Sequence, residues 1–312
     1  MTETATSFRL FCFGFGFSAR ALVRRLLEAQ GTEADWTVAG TTRSRENAAE
    51  LRAAGVEAYL FDRTHPLDPA ALQGTTHLLV SVAPDDPDDG KGADPVLDCH
   101  AEDIAALPAL RWIGYLSTTG VYGDWQGAEV DETSELRGAK GRNLRRIAAE
   151  AAWLELQAER GLPVHVFRLA GIYGPGRNVL DQVRAGRARR IDQPGHLFSR
   201  IHVDDIAKTL QASMARPCPG RVYNVCDDEP ASAAEVTAYA CELLGVTPPP
   251  PIPLEQAGLS PMALSFWEDN RLVSNRRLHE ELGVTLDYPD YRAGLKAILA
   301  EEQAGEVPHS RE

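Results

Sequence analysis

The sequence predicts an α/β fold in which a doubly wound parallel sheet carries a smaller C-terminal α/β cap. Three observations predict it. Short apolar runs alternate with amphipathic helical segments through residues 1–174. A glycine-rich turn, GFGFSA, joins the first run to the first helix. After Gly174 the elements shorten and a proline run, TPPPPIP (247–253), appears. Strand–helix–strand repetition with right-handed crossovers gives a parallel sheet covered on both faces.

The elements follow in order. FRLFCF (8–13) reads as a buried strand. Residues 17–30 read as a helix, with Leu22, Val23, Leu26 and Leu27 at helical spacing and Gly31 as the stop. WTVAGTT (36–42) is a second strand. SRENAAELRAAG (44–55) is a second helix, with Ser44 as N-cap and Gly55 just past its end. Further strands fall at 56–62, 77–83 and 111–118. A long helix spans 140–160, its apolar stripe formed by Leu144, Ile147, Ala148, Ala151 and Leu154. LPVHVFRLAGIYG (162–174) is a sixth strand running into a Gly- and Pro-rich turn. Then come a helix at 203–215, a strand at 221–226, a helix at 231–244, and helices near 274–282 and 290–302. The proline run between them must be extended. Residues 1–174 are thus assigned to the sheet domain, 175–302 to the cap with the chain returning to the sheet, and 303–312 to a loose tail.

Composition narrows the function classes. The chain has 312 residues, 44% hydrophobic and 25% charged, an ordinary globular balance. With 32 Lys plus Arg against 45 Asp plus Glu, the formal charge is −13. So acidic a chain repels phosphate polymers, which argues against a nucleic-acid binder but leaves room for a small anion held by local amides and arginines. No apolar run approaches the roughly 20 residues of a membrane span. The polar start MTETATS does not read as a secretion signal. The cysteines, Cys12, Cys99, Cys218, Cys226 and Cys241, are scattered without a CxxC pair. The expectation is a reduced, cytoplasmic protein with neither a disulfide framework nor a metal site.

The glycine turn is the most informative segment. Gly14 permits the tight turn, Gly16 lets backbone approach a pyrophosphate, and Ala19 lets the helix lie close to the sheet. N–H groups of the first helical turn then point at the phosphates, and the helix dipole favours their charge. The backbone of Phe15, Phe17 and Ser18, with Val82 and Ala83 at the end of the fourth strand, completes the expected cofactor wall. The tip of the second strand, GTTRS (40–44), carries no acid to bind a ribose 2′-hydroxyl. Arg43 with Thr41, Thr42 and Ser44 suits a 2′-phosphate, so NADP is favoured over NAD. The competing account makes Arg43 a solvated helix start. Asp62 is placed either to meet the adenine amino group or to end a strand in a turn.

On GFGFSA, LSTTGVYG (116–123), RLAGIYGPG (168–176), IHVDDIA (201–207) and YNVCDDEP (223–230), the chain resembles the extended short-chain dehydrogenase/reductases, the group of nucleotide-sugar epimerases and dehydratases. The resemblance covers about residues 8–300 and implies a Rossmann-type doubly wound sheet, a nicotinamide cofactor and a C-terminal cap that holds a small-molecule substrate. It also allows a homodimer. In that family a Ser or Thr after strand five, a Tyr, and a Lys four residues beyond it carry the chemistry. The hydroxyl maps to Thr118. The Tyr and Lys positions map to Arg142 and Arg146, followed by Glu150. No Tyr lies between Tyr122 and Tyr173, and Lys140 is preceded four residues back by Leu136. A guanidinium is not a general base near neutral pH. Arg142 and Arg146, on one helix face, form either a solvated basic face or a basic wall of the cleft that steadies an anionic substrate.

Other residues are weighed more briefly. Tyr122 and Tyr173 match packing positions, although Tyr122 is the phenol nearest the site. His202 reads as a structural hydrogen-bond donor, with Asp204 and Asp205 as caps for the next helix. DDPDDGKG (85–92) is either a solvated loop or a lid, and RAGRARR (184–190) either a helix end or an anion seat. Cys12 reads as core. Two functions follow. One is an NAD(P)-dependent oxidoreductase or epimerase/dehydratase-like enzyme for a small polar, anionic or sugar-type substrate, with a degenerate Tyr-Lys pair. The other is a non-catalytic NADP sensor.

Overall fold

The structure, a computed structural model, describes residues 7–29, 34–85, 94–138 and 141–305. Residues 86–92 of the acidic loop, Lys140, and the end of the tail lie outside the described residues. The first half contains β1 (Ser7–Phe13), α1 (Phe17–Glu28), β2 (Asp35–Thr42), α2 (Arg45–Ala53), β3 (Glu57–Leu60), β4 (His77–Val80), α3 (Pro95–Ala105) and β5 (Trp112–Thr118). Next come β6 (Glu129–Val130), α4 (Gly141–Arg160), β7 (Val164–Leu169), β8 (Gly171–Tyr173), α5 (Val179–Arg184), β9 (Arg190–Ile191) and β10 (Arg200–His202). The chain continues through α6 (Val203–Ala215), β11 (Val222–Val225), α7 (Ala233–Leu243), β12 (Pro251–Ile252), α8 (Pro261–Leu264), β13 (Leu272–Val273), α9 (Arg276–Leu282) and α10 (Tyr291–Gly305).

Seven strands form one parallel sheet in the order β3-β2-β1-β4-β5-β7-β11. Period-two alternation sends Leu10 and Cys12 of β1 to one face, and Phe11 and Phe13 to the other. The first face is covered by α1, α2, α6 and α9, through Leu22, Leu51, Leu210 and Leu278 among others. The second is covered by α3 and α4, through Val96, Ile104 and Trp153. Both faces are therefore dry, which explains why the strands read as continuous apolar runs. The expected Rossmann-type sheet is what the chain forms, and α6 and β11 bring the C-terminal segment back to it. The remaining cap core gathers Tyr173, Leu180, Val236, Tyr291 and Leu295 from β8, α5, α7 and α10.

Three features depart from the sequence reading. Helix α3 was not predicted, although Asp94 caps it by accepting from the N–H groups of Val96 and Leu97, and Pro95 opens it. The predicted sixth strand divides at Ala170, because β8 leaves the main sheet to pair with β10. The stripe predicted for α4 is not its buried face: Leu144 is 54% exposed, and Ala148 and Ala151 are exposed. The helix instead buries Ala149, Glu150 and Trp153. Two polar anchors turn it. Glu150 pairs with Arg168 of β7 at 2.8 Å, and Trp153 Nε1 donates to Asp94 Oδ2 at 2.9 Å. Satisfying these buried groups outweighs a few exposed methyls.

Candidate functional site

Strand order reverses between β1 and β4, and a crevice opens beyond the carboxyl ends of the strands at that point. The glycine turn sits there. Gly14 has φ +84°, and a Cβ on it would meet Ser81 Oγ at 2.9 Å. Its N–H donates to Thr41 Oγ1 at 2.8 Å, its carbonyl accepts from Ser81 Oγ at 2.6 Å, and Phe15 N–H donates to the Thr41 carbonyl at 2.8 Å. The turn is thus clamped from both neighbouring strands. Ser81 was missed by the sequence reading; its signal was a hydroxyl directly after β4.

Gly16 is the N-cap of α1 and has no side-chain cap. It is exposed, and a Cβ there would meet nothing within 4 Å. Packing within the protein therefore does not account for the missing side chain. Ala19 is fully buried and lets α1 lie on the sheet. The Phe15 ring covers Gly40 of β2, where a Cβ would come within 2.5 Å of it. Phe17 faces the turn at Gly174, and the Arg177 guanidinium lies 5.8 Å from its ring. Ser18 is buried, while Val82 is half-buried and Ala83 exposed beyond β4.

At the tip of β2, Thr41 is buried and committed to Gly14, so it is removed from the expected ribose contacts. Ser44 caps α2 by accepting from Asn47 N–H at 3.2 Å, and Thr42 Oγ1 accepts from Ser44 N–H at 3.3 Å. Arg43 is exposed and makes no hydrogen bond among the described residues. Asp62 closes a turn: its carboxylate accepts from the N–H groups of Thr64 and His65 and from the Thr64 hydroxyl, which with His65 hold its pKa down at about 2. That engagement favours the turn reading over an adenine contact.

Beyond β5 lies a cleft of about 830 Å³, between the sheet edge and the cap. Thr118 lines it. Its Oγ1 accepts from Gly120 N–H at 3.1 Å, which leaves the hydroxyl hydrogen to donate into the cleft. Asn143 and Ser117, not predicted, line it too. The described lining holds five arginines, Arg142, Arg177, Arg187, Arg200 and Arg271, against two acids, Asp181 and Asp269. In a chain of net charge −13 this is a local inversion of sign.

The predicted basic wall splits. Arg142 reaches the cleft, where its guanidinium stacks 4.0 Å from the Phe266 ring and donates to Ser265 Oγ at 3.2 Å. Arg146 does not line the cleft. Its Nη1 donates to Tyr115 Oη and to the Leu116 carbonyl, both at 3.0 Å, because α4 turns that face to the sheet. Tyr122, considered as a phenol near substrate, is fully buried. It donates to Asn224 Oδ1 at 2.7 Å and accepts from Arg168 Nη1 at 2.9 Å, and burial pushes its pKa up to about 12. It is a structural strut. Behind it runs a buried network in which Glu150 accepts from Ser117 and Arg168.

Tyr173 borders the cleft, its hydroxyl donating to the Asp290 carbonyl at 3.3 Å. His202, rather than Asp204 or Asp205, caps α6. Its Nδ1 accepts from Asp204 N–H at 3.3 Å, so it is an acceptor and not the expected donor. Asp205 instead receives the N–H groups of Asp287 and Tyr288. Of RAGRARR, Arg187 faces the cleft, whereas Arg184 pairs with Glu302 and Arg189 with the carbonyls of Ala257 and Gly258. Cys12 is buried in the core.

A doubly wound sheet with an open glycine turn at its switch point defines a Rossmann-type α/β protein. No family model matches the chain. A solved protein of unknown function from Silicibacter pomeroyi DSS is 49% identical, covers 96% of this chain and 99% of its own, and superposes with a TM-score of 0.84. A solved Methylobacillus flagellatus protein, provisionally described as an NAD-dependent epimerase/dehydratase, is 26% identical over 96% of this chain and 99% of that one, with a TM-score of 0.68. Protein YeeZ of Escherichia coli K12 is 27% identical over 265 residues, 82% of this chain and 89% of YeeZ. These likenesses support placing the chain with the NAD-dependent epimerase/dehydratase-like enzymes of the extended short-chain dehydrogenase/reductase group. No helix among the described residues is long and apolar enough to cross a membrane.

Proposed function

We propose that the protein binds NADP at the Gly14–Ala19 turn and moves hydride to or from a small anionic, polar substrate in the adjoining cleft. The observation that carries this reading is Gly16, exposed at the N-terminus of α1 with no protein atom for a side chain to meet. The bound nicotinamide would supply the hydride. Backbone N–H groups at the start of α1 hold the diphosphate, and Arg43 with Thr42 and Ser44 takes the 2′-phosphate. Thr118 donates a hydrogen bond to the reacting oxygen. Arg142 offsets negative charge there by electrostatics alone, since a guanidinium holds its proton.

NADPH fluorescence titration, followed by turnover on carbonyl acids and nucleotide sugars, tests this. Binding with oxidation of NADPH supports it, and no binding of either pyridine nucleotide removes it. The second reading, a sensor without turnover, draws support from the engaged phenols: Tyr122 is buried and Tyr173 is bonded to a carbonyl. Stoichiometric NADPH binding with no turnover across the panel, together with a captured partner protein, favours that reading.

A further inference from the structure

The arginines of the cleft are not equivalent. Arg271 lies 3.4 Å from Asp269 and donates to the Gly123 carbonyl at 2.9 Å. Arg142 rests on Phe266, and Arg177 lies over Phe17. Arg187 is exposed. Arg200 also lies over a ring, that of Phe198 at 5.8 Å, but differs from all four in being held by two backbone carbonyls without an ion pair. It opens β10, is partly buried, and lines the cleft. Its Nη1 donates to two backbone carbonyls, Phe198 and Ala231, each at 2.8 Å. These bonds fix the guanidinium but do not neutralise it.

Among the described residues Arg200 makes no ion pair. Asp227 is the carboxylate that acts on it most strongly, yet Asp227 does not close on the guanidinium. Its Oδ1 accepts only from the Arg200 backbone N–H, at 3.4 Å, and its Oδ2 is buried without a partner. A cation that is withdrawn from water, immobile and unpaired is costly unless an anion meets it. Arg200 lines the cleft that the proposed function assigns to substrate.

We propose that Arg200 seats an oxyanion of the substrate, a carboxylate or a phosphate-type group. The proposal deepens the reading of the cleft as the substrate site and rests on it. The seat is pre-organised: the two carbonyls hold the side chain in place before the ligand arrives, so little side-chain entropy is lost on binding. The neighbouring carboxylate tunes it. Burial raises the Asp227 pKa to about 8, so near neutral pH the acid is largely protonated and leaves the positive charge for the ligand. Asp228 and Asp290 also face Asp227, and Tyr173, Tyr291 and Glu235 face Arg200.

The test uses sodium benzoate and sodium sulfate as probes, because both keep constant charge above neutral pH. Binding to the full chain is measured by calorimetry at constant ionic strength, with NADPH fluorescence titration in parallel. At least one anion is expected to bind the wild type, and Arg200→Gln is expected to weaken it about tenfold or more while NADPH affinity stays unchanged. Preference for benzoate names a carboxylate, and preference for sulfate a phosphate-type group. Failure of both anions to bind the wild type, or equal binding by Arg200→Gln, overturns the proposal.

Asp227→Asn, nearly isosteric and neutral, keeps the test open if Arg200→Gln does not fold. Wild-type anion affinity is expected to fall as pH rises through about 8, and Asp227→Asn to hold it level. A wild-type profile that is already level, or one unchanged by Asp227→Asn, overturns the proposal. A wild type that binds the anion but not NADPH removes the proposed function and leaves Arg200 as an anion seat.

Discussion

Gly14 and Thr41 are tied across adjacent strands by a hydrogen bond of 2.8 Å, from the Gly14 N–H to the Thr41 hydroxyl. The bond fixes a residue at φ +84°, which only glycine adopts without strain, at the crevice where the strand order reverses. Thr41→Val keeps the shape of the side chain but strands that N–H. It should cost about 1–3 kcal/mol in stability and weaken NADPH binding. Denaturant unfolding and NADPH fluorescence, measured on the same samples, check both. An unaltered NADPH affinity would mean that the turn does not depend on this bond.

In the proposed function Arg43 carries the choice between cofactors. Arg43→Glu should weaken NADPH by about tenfold or more through loss of a charge-assisted pair, and leave NADH nearly unchanged. Parallel titrations with the two nucleotides decide it. Equal affinities in the wild type would end the preference for NADP.

Thr118 is a cleft hydroxyl with a hydrogen to donate. Thr118→Val should lower kcat/KM by about 10²–10³, the range for loss of one donor to developing charge. NADPH affinity should hold, because the hydroxyl is assigned to substrate. Steady-state rates on any substrate the panel yields, set beside the NADPH titration, make the measurement.

Glu150 and Arg168 form a buried pair at 2.8 Å, with side chains 2% and 5% exposed. Arg168→Met would leave the Glu150 carboxylate buried with the Ser117 hydroxyl but without its cation. The expected loss is about 3–5 kcal/mol. The double variant Glu150→Leu/Arg168→Met should recover much of it, and urea midpoints for the two variants provide the comparison.

Three buried histidines, His77, His165 and His202, have pKa values lowered to about 4, chiefly by desolvation. Above pH 6.5 both folded and unfolded chains hold them neutral. Between about 6.5 and 4 the unfolded chain takes up protons that the folded chain refuses, so stability falls with pH by about 1.4 kcal/mol per unit for each fully engaged group. His202→Asn keeps an acceptor for the α6 cap and should flatten the slope by one proton. Urea titrations across that window measure it, and an unchanged slope would exclude His202 as a contributor.

The strands of the sheet and the glycine turn were legible because local rules govern them. Dry strands are apolar runs, and a turn at φ > 0 favours glycine. Helix α4 was legible only in its extent. Its orientation is set by Glu150 and Trp153, whose partners Arg168 and Asp94 lie on other elements. Hydropathy spacing therefore selected the wrong face, while alignment with the family's Tyr and Lys positions set Arg146 beside Arg142 as a cleft residue. Helix α3 carried its own signal, Asp94 before Pro95, but followed a charged loop that masked it.

By itself the sequence determined the order of layers and the glycine turn at the end of β1. These depend on residue type at a position or on neighbours along the chain. Only the tertiary structure decided that Tyr122 is a strut, that Arg142 and Arg146 part company, and that Arg177, Arg187, Arg200 and Arg271 converge on one cleft. Each of those outcomes turns on electrostatic and hydrogen-bond partners brought together from distant segments, and such pairing leaves no trace in local spacing.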